Sequence, residues 1–298
     1  MPGLKEVRIR IASVKSTQQI TNAMKMVAAS KLRKAQNAII KLRPYAAKLN
    51  DIMQNLSGSM SDSTDSVYTQ NRIQEKILLI VITSNRGLCG GFNSNIIKAA
   101  LNLITSTYAD QNRKGNVSLI TIGRKGTEFF RKRGYKVVES HDDLFDKLTF
   151  ENVAPLAEQL MKSFANKEYD RIQIIYNQFK NAAVQRLLVE QYLPILPVAP
   201  APSAKDTLHT KHVDYIFEPD QETILQLLIP KSLRIQLYKA LLDSFASEQG
   251  ARMTAMQQAT DNARELLRAL QISYNKARQQ AITKELLEIV AGAEALKG

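Results

Sequence analysis

The chain has 298 residues, of which 44% are hydrophobic, and it carries a formal net charge of +13. This composition is ordinary for a soluble protein with one large or two ordinary domains. Cys89 is the one cysteine, which excludes an internal disulfide and a zinc site made of cysteines. No stretch approaches eighteen consecutive apolar residues and residues 1–10 have no apolar run, so we expect neither a membrane span nor a signal peptide.

The first fifty residues hold most of the positive charge. They contain eleven Lys or Arg against a single acid, Glu6, whereas the residues from 251 onward contain seven basic and five acidic side chains. A basic excess confined to one helix indicates either a polyanionic or acid-lined partner, or an ordinary solvated face.

The N-terminal segment, residues 1–57, is predicted to be one arm of a coiled coil. Pro44 should kink or interrupt this helix. Three consecutive polar members of its stripe, Gln18, Thr21 and Lys25, indicate that the partner helix ends there or that another face turns outward. Thirteen of the sixteen members of one unbroken heptad register are apolar, and the members are Leu4, Val7, Ile11, Val14, Gln18, Thr21, Lys25, Ala28, Leu32, Ala35, Ile39, Leu42, Ala46, Leu49, Met53 and Leu56.

The middle of the chain, residues 75–193, is predicted to form a parallel, doubly wound α/β domain whose strands are buried on both faces. A Ser- and Asp-rich linker, residues 58–74, precedes this domain. Residues 184–192 are expected to add an edge strand. The other predicted strands are Ile77–Thr83, Val117–Ile122, Tyr135–Val138 and Arg171–Tyr176, and the predicted helices cover Ile96–Ile104, Lys125–Arg131 and Leu156–Phe164.

A proline-rich connection, residues 194–219, leads to the last predicted helix, residues 220–298, in which Pro230 predicts a kink. From 231 to 291 this helix has no proline and one glycine, Gly250. A continuous helix of that length would reach roughly 90 Å, too long to be buried in a single small domain. Its heptad stripe supplies the second arm of the coiled coil, with the members Met253, Met256, Thr260, Ala263, Leu267, Leu270, Tyr274, Ala277 and Ala281.

The predicted fold class follows from this order of elements. It is α/β plus coiled coil, in which an antiparallel pair of terminal helices carries an inserted, Rossmann-like doubly wound α/β domain. The C-terminal arm is expected to extend beyond the N-terminal one.

The loop Gly87–Gly91 follows a predicted strand and precedes a helix, where phosphate and dinucleotide sites occur. It lacks the spacing of either binding motif, so a structural turn is the favoured interpretation and a nucleotide-binding enzyme is the alternative. Cys89 is interpreted as a packed thiol, and we predict no catalytic residue and no metal site. Two clusters are interpreted as solvated surface, namely His141 with Asp142, Asp143 and Asp146, and His209 with His212.

A basic coiled-coil protein that binds nucleic acid is a further functional hypothesis, because Lys and Arg on a helical arm suit phosphate backbones. Aromatic residues for base stacking are absent before Tyr45, and Lys25 lies on the heptad stripe itself. A helix surrounded on all sides by protein fits this distribution better than one face laid on a duplex.

Four separated motifs resemble the gamma subunit family of the rotary ATP synthase. They are KEVRIRIASVKSTQQITNAMKMVAASKLRKAQ, SNRGLCGGFN, SEQGARMTAMQQATDNA and ITKELLEIVAGAEA, in this order. Members of the family have an antiparallel coiled coil of the termini and a Rossmann-like domain at its foot. The resemblance implies a central rotor shaft that transmits torque between the membrane ring of c subunits and the catalytic hexamer of alpha and beta subunits.

The resemblance also implies the partners and the cofactors. The implied partners are the alpha, beta and epsilon subunits and the c-ring, without nucleic acid. The implied location is peripheral, at the cytoplasmic face of the bacterial cell membrane. ATP, ADP and magnesium are implied to bind to alpha and beta, so this chain is expected to bind no cofactor and to be non-catalytic by itself.

Matching the motifs position by position implies six contact residues. Met24 and Lys25 correspond to the family's contact with a mobile acidic loop of beta. The polar members of the N-terminal stripe are implied to face surrounding subunits. Four more residues lie in segments that touch beta loops near the catalytic interfaces, and these are Arg252, Gln279, Thr283 and Glu285.

Two departures from the family are visible. The chloroplast members carry an inserted pair of cysteines, whereas Cys89 stands alone here, so thiol regulation is not expected. Gly250 stands where alanine is common, and a glycine within a helix costs roughly 0.5–1 kcal/mol.

Overall fold

The computed structural model of the chain describes residues 4–58, 67–70, 72–195 and 221–295. About half of the predicted linker 58–74 and nearly all of the predicted connection 194–219 lie outside these residues, as do His209 and His212. The helices are α1 (Leu4–Gly58), α2 (Phe92–Asn102), α3 (Ala109–Arg113), α4 (Arg124–Lys132), α5 (Phe150–Ala165) and α6 (Gln221–Ala295), and the strands are β1 (Ile77–Ile82), β2 (Val117–Ile122), β3 (Val137–Ser140), β4 (Arg171–Phe179) and β5 (Gln185–Leu193).

Helices α1 and α6 are continuous over 55 and 75 residues and include Pro44 and Pro230. The predicted interruption at Pro44 is therefore wrong. A proline removes one backbone hydrogen bond. The stripe members on either side of it, Leu42 and Ala46, are both partly buried, and their packing holds the helix together.

One five-stranded sheet forms the centre of the α/β fold, in the order β3-β2-β1-β4-β5. The first four strands are parallel, and β5 pairs antiparallel with β4 as the predicted edge strand. Every residue of β1 and β2 is buried, as their unbroken apolar runs predict for strands covered on both faces.

Helices cover both faces of the sheet, which confirms the doubly wound prediction. Residues of α2 and α4, such as Ile96 and Phe130, pack on the face that includes Leu79 and Ile175. Residues of α5 and α6 pack on the opposite face, where the Tyr192 hydroxyl donates to the Leu233 carbonyl at 3.2 Å.

The chain divides into two compact units. The paired-helix unit contains the described residues up to Ala29 and from Arg252, and the sheet unit contains residues 30–251. Residues 30–58 and 221–251, which the sequence assigns to the helical arms, are thus grouped with the sheet. Within the described ranges, no helix is long and apolar enough to cross a membrane.

Candidate functional site

The Gly87–Gly91 loop, after β1, is organised by the chain's own side chains. The Asn93 side chain accepts the Ser84 backbone N–H at 2.9 Å and donates to the Ser84 hydroxyl at 2.8 Å and to the Cys89 sulfur at 3.3 Å. Leu88 adopts a φ of 64°, a conformation that costs a residue with a side chain some strain. Cys89 is buried, as predicted for a packed thiol. These contacts make the loop a closed structural turn.

Helix α6 crosses the edge of the sheet at which the parallel strands end, here called the carboxyl edge. A Cβ on Gly250 would lie 3.0 Å from the carbonyl oxygen of Ala182, in the turn after β4. Phe245 stacks on Phe145 with 6.0 Å between ring centroids, and Ala251 packs against the cluster that contains Cys89. In doubly wound folds, dinucleotides bind outside this edge, so the chain's own helix disfavours a nucleotide site there.

The acidic cluster near β3 is a network of internal contacts. Asp142 accepts a hydrogen bond from the Thr127 hydroxyl at 3.2 Å and lies 3.9 Å from the Arg124 guanidinium. His141 lies 3.2 Å from the Glu139 carboxylate. Among the described residues, no group of three or more His, Cys, Asp or Glu side chains is placed to hold a metal ion.

The paired-helix unit brings α1 and α6 together in antiparallel orientation. Contacts further along α1 are made to residues that lie earlier in α6. The Arg8 guanidinium donates to the Tyr274 hydroxyl at 2.9 Å. The Lys25 ammonium donates to the Gln257 side chain at 2.9 Å. These contacts confirm the predicted pairing of the terminal helices. Tyr274 and Lys25 belong to the predicted stripes, whereas their partners Arg8 and Gln257 do not. A heptad pattern gives the face of each helix, but it does not fix the offset between two helices.

The seam between the helices follows both predicted stripes. Val7, Ala28, Met256 and Ala263 are buried, and each of the other stripe members whose side chain is described is buried or partly buried. The apolar residues beside the stripe on α1 behave differently, since Ile20, Val27 and others at such positions are more than half exposed.

The polar members of the stripe lie in the seam, which corrects the expectations that the partner helix ends there or that α1 turns another face outward. Thr21 is buried, and the Thr260 hydroxyl on α6 donates to it at 2.9 Å. Lys25 is partly buried and bonded to α6, and Gln18 is partly buried. These bonds show that α6 continues opposite this part of α1, and they satisfy the side chains of Thr21 and Lys25 across the seam.

The six predicted contact residues fall into two groups. Met24 and Lys25 are partly buried and Arg252 is 8% exposed, whereas Gln279, Thr283 and Glu285 are exposed. The Thr283 hydroxyl donates to the Gln279 carbonyl at 2.9 Å, so these two lie one turn apart on one face of α6. From Lys25's partner Gln257 to Gln279, α6 rises about 33 Å, so the two groups do not form one site.

The last turns of α6 lie beyond the first described residue of α1. The contact between Arg8 and Tyr274 places the start of α1 opposite residues near 278. Each described side chain from 282 to 294 is exposed. The exposed large apolar side chains of this segment are Ile282, Leu286, Leu287, Ile289 and Val290. The predicted extension of the C-terminal arm is confirmed.

The buried threonine pair predicts a measurable coupling between the helices. Thr260→Val and Thr21→Val each remove a hydroxyl from the seam at almost constant shape, and each should lower the free energy of unfolding by about 1 kcal/mol. Because both variants break the same bond, the double variant should lose less than the sum, by about 0.5–1 kcal/mol. Urea unfolding followed by circular dichroism measures this.

Thr17→Val provides the matched control, since the Thr17 hydroxyl is exposed and donates within its own helix, to the Ser13 carbonyl at 3.0 Å. Its unfolding free energy should change by less than about 0.5 kcal/mol. Strictly additive losses in the double variant at Thr21 and Thr260 contradict the coupling.

Three comparisons relate the whole chain to known proteins. A family model described as ATP synthase matches residues 3–296. The ATP synthase gamma chain of Flavobacterium johnsoniae is 55% identical over 298 residues and covers 100% of both chains, and that of Cytophaga hutchinsonii is 53% identical over 296 residues and 99% of both.

Solved structures agree with the fold. A chain of the Tetrahymena thermophila mitochondrial ATP synthase central stalk and c-ring matches with a TM-score of 0.58 and 26% identity, covering 80% of this chain and 99% of that one. A chain of the Euglena gracilis mitochondrial ATP synthase matches with a TM-score of 0.67 and 21% identity, covering 98% and 94% of the two chains.

Proposed function

Because the chain belongs to the ATP synthase family as a gamma chain, we propose that it is the central rotor shaft of a proton-translocating ATP synthase. It transmits torque between the membrane c-ring and the catalytic hexamer of alpha and beta subunits. The observation that carries this proposal is the match to gamma chains over the whole length of both proteins. The structure adds a long helical pair whose seam is continuous through its polar members.

The seam explains how such a shaft carries torque. Polar side chains at core positions of a coiled coil specify the register of the two helices. Bonds at 2.9 Å from Thr260 to Thr21 and from Lys25 to Gln257 oppose sliding of one helix along the other. A twist applied to one helix is therefore passed to both.

The proposed partners are the alpha and beta subunits, the epsilon subunit and the c-ring. Support comes from the structural relatives, which are described as the central stalk with its c-ring and as part of an F1 and c-ring assembly. We propose that the chain lies at the cytoplasmic face of the bacterial cell membrane and peripheral to it. Support comes from the gamma chains named above, which are from the bacteria Flavobacterium johnsoniae and Cytophaga hutchinsonii.

The chain is proposed to be non-catalytic by itself and to bind no cofactor, with ATP, ADP and magnesium held by alpha and beta. The packing of α6 over the carboxyl edge supports this, because the usual dinucleotide position is filled by Gly250 and its neighbours.

Assembly tests the proposal directly. The chain should co-purify with an alpha/beta hexamer in a stoichiometric complex, as seen by size-exclusion chromatography and electron microscopy. A chain found only free, or bound to nucleic acid with an affinity that falls steeply with salt, supports the nucleic-acid alternative instead. Family membership favours the rotor.

The six contact residues remain part of the proposal, but they differ in how directly a substitution would test a contact with beta. Lys25 is bonded inside the seam and Arg252 is buried, so their substitution would alter the shaft as well as any contact. Gln279, Thr283 and Glu285 are exposed and available to beta loops.

The exposed pair gives the sharper prediction. Replacing Gln279 and Thr283 together with alanine should lower ATP synthesis by the assembled complex severalfold, because two contacts to beta loops are lost, and should leave assembly unchanged. The matched control replaces Gln271 and Ser273, which are exposed on the same helix, and should keep normal activity. Equal activity of both double variants contradicts the contact role.

A further inference from the structure

An exposed lysine precedes each of the four parallel strands. Lys76 stands directly before β1, Lys114 three residues before β2, Lys136 directly before β3 and Lys167 four residues before β4. These strands are neighbours in the order β3-β2-β1-β4 and point the same way, so their starts meet at one edge of the sheet unit, here called the amino edge. At about 4.8 Å between strands, the four lysines are spread over about 15 Å. Lys132, at the end of α4, adds a fifth.

The lysines of the amino edge are not paired with acidic side chains among the described residues. Within the part of the chain that the structure describes, Lys76, Lys114, Lys132, Lys136 and Lys167 form no salt bridge. At the carboxyl edge, in contrast, Arg124 pairs with Asp142 and Lys125 pairs with Glu128.

The acids near the amino edge offset only part of this charge. Asp170 accepts the backbone N–H of Lys76 at 2.8 Å and Asp110 lies 3.7 Å from Arg113, so both serve local contacts. Glu75 and Glu168 are the exposed acids beside the lysines. The five lysines and Arg113 outnumber these four acids by two, which leaves a positive excess at this edge. A position at the C-terminal end of a helix, which favours a cation, accounts for Lys132, for Lys114 at the C-cap of α3 and for Lys167 just after α5. It does not account for Lys76 and Lys136, which directly precede strands.

An exposed apolar side chain lies among these charges. Ile73, three residues before Lys76, is 84% exposed, more than any other exposed large apolar side chain of the described residues. A cationic surface that also presents an isoleucine suits a bilayer surface, where charge attracts lipid head groups and an apolar side chain enters the interface. Among the described residues near this edge, Tyr108 is buried and Tyr135 and Tyr169 are only partly exposed, which does not favour base stacking.

We propose that the amino edge of the sheet unit, defined by Lys76, Lys114, Lys132, Lys136, Lys167 and Ile73, rests on anionic lipid head groups. The occupant is the lipid surface itself, drawn by lysines spread across the edge rather than by a pocket. The proposal deepens the proposed function, because a shaft carried by a membrane ring has one end near the bilayer. The surface chemistry, however, can be tested without any other subunit.

The test uses a probe that reports where the full chain touches the bilayer, because the basic residues of α1 also attract anions. Ile73→Cys is labelled with a polarity-sensitive dye, and the native Cys89 is buried. Ala183→Cys, exposed in the turn at the carboxyl edge, carries the same dye as the control. Each is mixed with vesicles of phosphatidylcholine alone or with 30% phosphatidylglycerol, at low and high salt.

The dye at Ile73 should shift to the blue only with the anionic vesicles and only at low salt, while the dye at Ala183 stays unchanged. Replacing Lys76, Lys114 and Lys136 together with glutamine should weaken binding. The lipid concentration that gives half of the shift should rise on the order of 100-fold, at about fivefold per lysine. The matched triple on α1 neutralises three exposed lysines, Lys31, Lys34 and Lys41, and should keep the shift.

Other results overturn the proposal. If the chain binds the vesicles but the emission of the dye at residue 73 does not shift, another surface, such as α1, makes the contact. An equal shift on neutral vesicles removes the role of charge. A shift with purified c-ring in neutral detergent, but not with anionic vesicles, identifies a protein as the occupant. None of these outcomes affects co-purification with the alpha/beta hexamer, which tests the rotor function separately.

Discussion

Replacing Gly123 with alanine is expected to destabilise the sheet unit by about 3 kcal/mol or more. Gly123 joins β2 to α4 with a φ of 105°, a conformation that side chains rarely adopt and that costs about 1–3 kcal/mol. An added Cβ would also lie 2.1 Å from the carbonyl oxygen of Thr83. The backbone fixes the position of the added Cβ and of the Thr83 carbonyl oxygen, so no change of side-chain rotamer relieves this contact.

The surrounding bonds prevent the turn from moving away. The Thr83 backbone N–H donates to the Ile122 carbonyl at 2.7 Å. The Thr83 hydroxyl donates to the Gly123 carbonyl at 3.0 Å and accepts the Gly126 N–H at 2.9 Å. A shift of the turn would break these buried bonds, each worth about 1 kcal/mol. Urea unfolding of the full chain should therefore show a much lower midpoint or no folded sheet unit.

Gly134→Ala separates the effect of the contact from that of the backbone. Gly134 has a φ of 76°, but an added Cβ there would meet no atom within 4 Å. Its replacement should cost only about 1 kcal/mol, from backbone conformation alone. Similar losses for the two variants would show that the contact between residues 123 and 83 is unimportant.

Replacing Asp243 with asparagine is expected to stabilise the protein at neutral pH by about 1–3 kcal/mol. Asp243 is 3% exposed on α6, and its Oδ1 has no hydrogen-bond partner among the described residues. Burial raises the pKa of this carboxyl from 3.8 to about 6, although Lys239 and Arg43 lower it. Glu190, which accepts the Tyr176 hydroxyl at 2.9 Å, raises it further. Asparagine keeps the shape of the side chain and removes the buried charge.

The pH dependence follows from the direction of the shift. Because the folded state holds the Asp243 proton more tightly than the unfolded state, the contribution of this group is most favourable below about pH 4 and is lost as the pH rises through about 6. A carboxyl pKa raised from 3.8 to about 6 corresponds to about 3 kcal/mol of pH-dependent stability. The difference in unfolding free energy between the variant and the original protein should grow between pH 4 and 6 and stay constant above.

Asp261→Asn serves as the control, since Asp261 is partly exposed and paired with Arg264 at 3.2 Å. This variant should be neutral or slightly less stable at pH 7. A loss of stability for Asp243→Asn at pH 7, or a difference independent of pH, would falsify the assignment of a buried proton-binding carboxyl.

Much of the fold was accessible from local pattern. The unbroken apolar run of β1 predicted a strand covered on both faces, and the two heptad stripes predicted which faces of α1 and α6 are buried. The interruption expected at Pro44 is absent, because one lost hydrogen bond is outweighed by the packing of Leu42 and Ala46.

The candidate site was predictable only in part. The motifs near both termini led to Lys25 and Gln279 through family resemblance, but the sequence does not show that Lys25 bonds to Gln257 across the seam. The offset between the two helices depends on contacts such as this one, whose residues are 232 positions apart in the sequence. Gly250, a costly residue by helix propensity, becomes understandable only beside Ala182, which approaches from the turn after β4.

Local patterns along the chain are sufficient to predict its periodic features, namely the seam faces of α1 and α6, the buried strands and the basic first helix. These depend on spacing and composition along the chain, which each segment carries alone. Three other features depend on how the chain folds in space: the register of the helical pair, the packing of α6 over the carboxyl edge, and the gathering of the lysines at the amino edge. Each of these results from segments far apart in sequence meeting in space, and no local pattern encodes their distance.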